Sequence, residues 1–226
     1  MKRIFELINR NLFVDKIREM LRKEPSTTHD LPLITISREM GSGGRPIAHM
    51  VAKKLGKPWK VYHEEIVDEI AKQTKLEKLL VKEIDEKRLP LIEEMIGDIF
   101  GRRYMNFESY HKHLIKILLS VGHRGSAIIM GRGAHYLFPH ALKVRLIAEM
   151  PQRLKWITQF EHVSQFEAAK RIDRSDKERG EFERTVYNHD CRKAHHYDMV
   201  IRTGEALSIK DATTLIVLAA KRRFKI

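Results

Sequence analysis

Between Ser37 and Pro46 the chain reads SREMGSGGRP, placing Gly41, Gly43 and Gly44 just ahead of Arg45. The apolar run Leu33 to Ile36 precedes it, and Ile47, Met50, Val51 and Leu55 follow at helical spacing. A strand, a glycine-rich turn and a helix start together aim backbone N–H groups at an anion, and glycine allows the close approach and positive φ that this requires. The helix N-terminus adds partial positive charge. Pro46 suits the first helical turn, Arg45 offers phosphate oxygens a bidentate cation, and Arg38 and Glu39 flank the site. The standard phosphate loop is G-x-x-x-x-G-K-[ST], and neither frame completes it here. With Gly44 as its second glycine, Arg45 takes the lysine position, Pro46 the hydroxyl position and Glu39 the place of the first glycine. With Gly43 as its second glycine, Gly44 replaces the lysine and Arg45 the hydroxyl. Ser37 and Ser42 are the nearby hydroxyls that remain for Mg²⁺. A tight turn without a ligand is the competing reading.

Two further stretches carry cations suited to phosphate chemistry. In AIIMGRGAHYLF, from Ala127, a buried strand ends in Gly131-Arg132-Gly133. Arg132 therefore stands at the carboxyl end of a parallel strand, the edge where open α/β sheets bind ligands; a structural ion pair is the alternative. In KRIDRSDKERGEFER, residues 170–184, basic and acidic side chains interleave on a helical stretch. Such a run is either a self-paired solvated face or a lid that closes arginines over phosphates.

The elements that must position these residues alternate. Strand-like runs are Leu33–Ser37, Ala127–Met130, Val144–Ala148 and Met199–Arg202, with a weaker one at Trp59–Tyr62. Between them lie helical patterns, one ending at Gly56 and one built on Leu114, Ile117, Leu118 and Val121. A third starts at the capping-box-like Ser208/Asp211 and continues in a stripe of Ala212, Leu215, Ile216 and Ala219. Short apolar strands separated by helices predict a parallel sheet in an α/β fold. The stretch 64–122 is too long for one crossover and is expected to be a helical insertion. Residues 4–23 read as an amphipathic helix followed by the polar linker EPSTTHDLP, so 1–30 forms an appendage to a main domain over 31–226. That helix suits docking or homo-oligomerisation, or packs on its own domain.

Composition narrows the partners. The chain has 226 residues, 42% of them hydrophobic and 32% charged, and a net charge of +13. No run reaches the roughly 20 apolar residues of a membrane span, and the N-terminus lacks a secretory pattern. The single cysteine, Cys191, fits a reducing cytosol. No Cys/His cluster has zinc spacing, so no resident metal site is expected, and the scattered histidines read mostly as surface residues. Basic excess is greatest over 101–150, where eight Lys/Arg face only Glu108 and Glu149. Such a field attracts polyanions. With no aromatic–basic interleaving and no helix-turn-helix pattern, a nucleotide or phosphorylated small molecule is the expected partner rather than nucleic acid.

Taken in order, ITISREMGSGGRPIA, IIMGRGAHYLFPHALKVRLIAEMPQR, SDKERGEF and YDMVIRTGEALSIKDAT resemble the cytidylate kinase-like family of P-loop nucleoside monophosphate kinases, over roughly residues 32–223. The resemblance implies a P-loop three-layer core with a five-stranded parallel sheet, an inserted helical monophosphate-binding region and a lid near 164–190. It implies phosphoryl transfer from ATP with Mg²⁺ to a nucleoside monophosphate of cytidylate type or another small acceptor. By position, Gly41 to Arg45 would cradle the donor phosphates and Arg132 would meet the acceptor phosphate. Arg174, Lys177 and Arg179 would be lid cations, as would Arg153 more distantly. Cytidylate kinases have a loop lysine and an aspartate after the Gly-Arg pair, where this chain has Gly133. A non-catalytic, nucleotide-binding regulatory protein is therefore the alternative.

Overall fold

The computed structural model describes residues 31–63, 96 and 109–226. These fall into two units, 32–63 with 126–226, and 31 with 96 and 109–125. The first contains five strands: β1 (Leu33–Arg38), β2 (Lys60–Tyr62), β3 (Ala127–Met130), β4 (Leu142–Ala148) and β5 (Met199–Thr203). Its helices are α1 (Gly44–Leu55), the short α3 (Ala134–Leu137), α4 (Met150–Glu161), α5 (Gln165–Tyr187) and α6 (Ile209–Phe224). α2 (Ser109–Arg124) belongs to the second unit. The amphipathic helix expected over 4–23 and most of the insertion expected over 64–122 lie outside the described residues.

The sheet is wholly parallel in the order β2-β3-β1-β4-β5. All five strand-like runs of the sequence are strands. β1 sits at the centre, and all six of its residues are buried, as expected for a parallel strand covered on both faces. Ile34 and Ile36 of β1, Ile128 and Met130 of β3, and Val144 and Leu146 of β4 form one apolar face. Ile47, Ala48 and Val51 of α1 and Ala212, Ile216 and Ala220 of α6 pack onto it. At roughly 25 cal/mol per Å² of apolar area, this burial holds α1 and α6 to the sheet.

Helix ends follow local chemistry. α1 stops at Gly56, which adopts a φ of +79° that few other residues accept. α6 starts with the full capping box: Asp211 N–H donates to Ser208 Oγ, and Ser208 N–H donates to the Asp211 carboxylate. Its buried stripe differs from the expected one. Thr213 and Ala220 are buried, whereas Leu215 is 40% exposed, because the helix presents 212/213/216/220 to the sheet. The segment expected to be a lid is one continuous 23-residue helix, α5.

Candidate functional site

The carboxyl ends of β1 and β3 and the middle of β4 border a cavity of about 290 Å³. Ser37 and Arg38 reach it from the end of β1, Glu39 from the glycine loop, Arg132 from the turn after β3 and Arg145 from within β4. The α5 side supplies Asp173, Asp176, Lys177, Arg179, Phe182, Glu183 and Arg184, and the following turn supplies Asp190, Cys191 and Arg192. Of the residues singled out in the sequence, Ser37, Arg38, Arg132, Lys177 and Arg179 thus converge on one cavity. Gly41, Ser42, Gly43, Gly44 and Arg45 form the adjoining loop and the start of α1, outside the cavity wall. Arg45 and Arg174 are exposed.

The glycine loop has the backbone of an anion cradle. Gly41 and Gly43 take φ of +79° and +76°, and Gly43 is the N-cap of α1. The loop is held from below. Glu39 N–H donates to Leu146 O at 3.0 Å, and Thr203 Oγ1 donates to Ser42 O at 2.9 Å. Arg153, at the start of α4, is 6% exposed. Its Nε donates to Met40 O at 2.6 Å, its Nη2 to Asp176, and its Nη1 lies 3.6 Å from Glu39. Met40 N–H in turn donates to Asp176 Oδ1 at 3.0 Å. Arg153 is therefore a brace between the loop and α5 rather than a lid cation, because α4 carries its side chain under Gly41. A Cβ on Gly41 would meet the Arg153 backbone oxygen at 2.9 Å.

Arg132 has a φ of +55°, a conformation that marks a constrained turn in a non-glycine residue. Its guanidinium lies 5.1 Å from the Phe182 ring centroid, and its carbonyl accepts from Tyr187 Oη at 3.0 Å. Gly133 has no room for a side chain, since a Cβ would lie 2.1 Å from Tyr187 Cε2. Arg145, which sequence reasoning missed, donates from Nη1 to Ser37 Oγ at 2.8 Å, and its Nη2 lies 3.9 Å from Glu39. Its signal was available as a lone charge inside the apolar strand LKVRLIA. Arg153 gave no comparable signal, because it sits among other polar residues at a helix start.

The back of the cavity is a buried titratable cluster. Burial pushes the Glu183 carboxyl up to about 7, against the opposing pull of the Arg145 charge. His135 Nε2 lies 3.7 Å from Glu183 Oε2, and burial, followed by the Lys143 charge, holds this imidazole well below its ordinary value. Burial and the Glu183 charge raise the Tyr136 hydroxyl. Tyr136 stacks on His189 at 4.4 Å and meets His196 edge-on at 5.5 Å. The expectation of surface histidines fails here: His135 is 3% exposed, because the turns after β3 and α5 fold onto each other. Cys191 is 8% exposed and burial raises its thiol, which makes it a poor nucleophile. Hydrogen bonds from Arg192 hold the Asp190 carboxyl well below its usual range.

The arrangement fits a polyphosphate: loop glycines at positive φ, a helix start and a cavity lined by several cations. Mg²⁺ takes one or two carboxylates together with phosphate oxygens and water, and Glu39 and Asp173 are carboxylates of suitable type at the cavity. Among the described residues no group of three or more His, Cys, Asp or Glu is placed to hold a metal by itself. Ser37 Oγ accepts from Arg145, and Ser42 Oγ donates to Glu39 O at 2.9 Å. No helix of the described residues is long and apolar enough to cross a membrane.

A solved structure shares this architecture. A crystal structure of an uncharacterized protein from Eubacterium ventriosum superposes with a TM-score of 0.66 at 21% identity, covering 85% of this chain and 99% of that one. TT1252 from Thermus thermophilus gives 0.49 at 17% identity over 84% and 97%. A shikimate kinase from Bacteroides thetaiotaomicron gives 0.45 at 12% identity over 87% and 99%. No curated protein matches the chain. The sequence model of the cytidylate kinase-like family matches residues 33–205, spanning the glycine loop, the Gly-Arg-Gly turn, α5 and β5, and the chain belongs to that family.

Proposed function

We propose that the protein is a phosphotransferase in which the glycine loop takes the phosphates of ATP and the cavity takes a phosphorylated acceptor, a nucleoside monophosphate or a molecule of similar size. The observation that carries this reading is the convergence of Arg132, Lys177 and Arg179 on one cavity, with Arg38 on the wall between that cavity and Gly44 of the loop. Phosphoryl transfer asks the protein mainly for positioning and positive charge. An acceptor oxygen attacks the γ-phosphorus as the bond to the β,γ-bridging oxygen breaks, and ADP leaves. Arg132 and the α5 cations would hold the acceptor phosphate, and loop amides would hold the donor. Mg²⁺ would enter with the triphosphate and offset its charge, with Glu39 or Asp173 within its reach.

A coupled assay for ADP release with MgATP across nucleoside monophosphates tests the reading. Turnover with one of them supports it. ATP binding without turnover for any acceptor favours the second reading, a nucleotide-binding regulatory protein. The observation behind that alternative is that glycine and proline stand at positions 44 and 46, where a phosphate loop carries its lysine or hydroxyl in one frame or the other.

A further inference from the structure

We propose that Arg38 supplies the phosphate-binding cation that a loop lysine supplies in the standard motif, positions 38 and 44 having exchanged their residues. The proposal rests on the donor-site reading above. The structure favours the frame in which Gly43 is the second glycine, because Gly43 is the N-cap of α1 and Gly44 its first residue. Counting back through G-x-x-x-x-G-K, the first glycine position is then 38 and the lysine position 44. The chain has arginine at the first and glycine at the second.

The two positions compete for one volume. A Cβ on Gly44 would lie 2.9 Å from Arg38 Cγ and 3.1 Å from Arg38 Cβ. These atoms belong to the base of the arginine side chain, which cannot swing aside as its tip can. A lysine at 44 and an arginine at 38 therefore exclude each other, and a glycine at either position makes room for a long cation at the other. The φ of Gly44 is not in the left-handed region, so the backbone does not demand glycine there; the Arg38 stem does. From that stem the side chain continues into the cavity wall while remaining 9% exposed. Its charge is felt inside, where it lowers the Glu183 carboxyl against burial. Arg45, the cation adjacent to the glycines in sequence, is exposed, whereas the Arg38 stem is packed directly against Gly44 of the loop. An arginine also brings a planar fork that grips two phosphate oxygens, where a lysine brings a point charge.

Calorimetric titration of MgATP into the full-length wild type, R38G, R38K and the double variant R38G/G44K tests this, with thermal unfolding run on each. R38G is expected to bind ATP about 10-fold or more weakly, the scale of one lost charged hydrogen bond. R38G/G44K is expected to recover most of that loss, because the lysine occupies the vacated volume, and R38K is expected to stay within about 5-fold of wild type on the same scale. As a check on packing alone, G44A should lower the melting temperature when Arg38 is present and not in the R38G background, a coupling read by the double-mutant cycle. The proposal is overturned if folded R38G binds ATP as wild type does, if the double variant binds no better than R38G, or if R45A loses the affinity that R38G retains. A wild type that fails to bind ATP overturns the donor-site reading and this proposal with it; a wild type that binds while the swap fails to rescue overturns this proposal alone.

Discussion

Replacing Arg153 by methionine should loosen the glycine loop from the helix that covers it. The methionine keeps most of the buried stem and removes only the guanidinium. Three interactions go with it: the hydrogen bond to Met40 O at 2.6 Å, the charged contact with Asp176, and the ion pair with Glu39 at 3.6 Å. Removing one partner of a buried pair costs roughly 3–5 kcal/mol because the other charges stay behind uncompensated. The Asp176 and Glu39 side chains retain 31% and 25% exposure, so water offsets part of that loss and the lower end applies, about 3 kcal/mol. For a chain of this size, ~3 kcal/mol corresponds to a fall in Tm of about 6–12 °C. Differential scanning calorimetry measures it, and a parallel titration with MgATP reads the loop. Affinity should fall with stability, since the loop carbonyl that Arg153 holds sits beside Gly41. D176N and the R153M/D176N double variant should show a coupling of about 0.5–3 kcal/mol. A methionine variant that melts within about 3 °C of wild type and binds ATP unchanged would refute the bracing role.

Two further changes probe the cavity. G133A places a methyl group 2.1 Å from Tyr187 Cε2 at a φ of +67°, whereas in G43A, at +76°, it comes no nearer than 3.1 Å to the Ile209 side chain. Both positions lie in the left-handed α region and carry its cost of roughly 1–2 kcal/mol, so G133A should melt lower than G43A by thermal unfolding; equal melting temperatures would show that Tyr187 gives way freely. Glu183 should make stability depend on pH. Its folded value of about 7 lies above its ordinary 4.5, so the native state holds the proton more tightly and stability falls as pH rises from about 4.5 through 7, by about 3 kcal/mol in total. Buried His135 acts at the other end: its lowered value means that stability falls as pH drops below 6.5. Urea unfolding of wild type and E183Q between pH 5 and 8 should show the glutamine variant gaining relative stability as pH rises, and parallel profiles would contradict the assignment.

The layers and the loop were legible in local pattern. β1 could be read because Leu33, Ile34 and Ile36 cluster as a strand buried on both faces requires, and the helix after it because Ile47, Val51 and Leu55 recur at the helical period. The ends of α1 and α6 were equally legible, since Gly56 and the Ser208/Asp211 pair act through bonds within a few residues. The position of Arg132 was readable because the turn after a parallel strand stands at the edge where open α/β sheets bind ligands. The rest depends on contacts between residues far apart in the chain. Leu215 matched the period but faces outward, because the rotation of α6 is fixed by the sheet beneath it. His135 and Glu183 are buried by the meeting of two turns that no local pattern announces. Arg153 acts as a brace only because α4 passes under the glycine loop. The glycine at 44, which in one frame read as a hole in the motif, is filled in space by a side chain six residues earlier. One-dimensional spacing records which residue types are present, while volume exclusion between distant positions decides which of them can occupy the site.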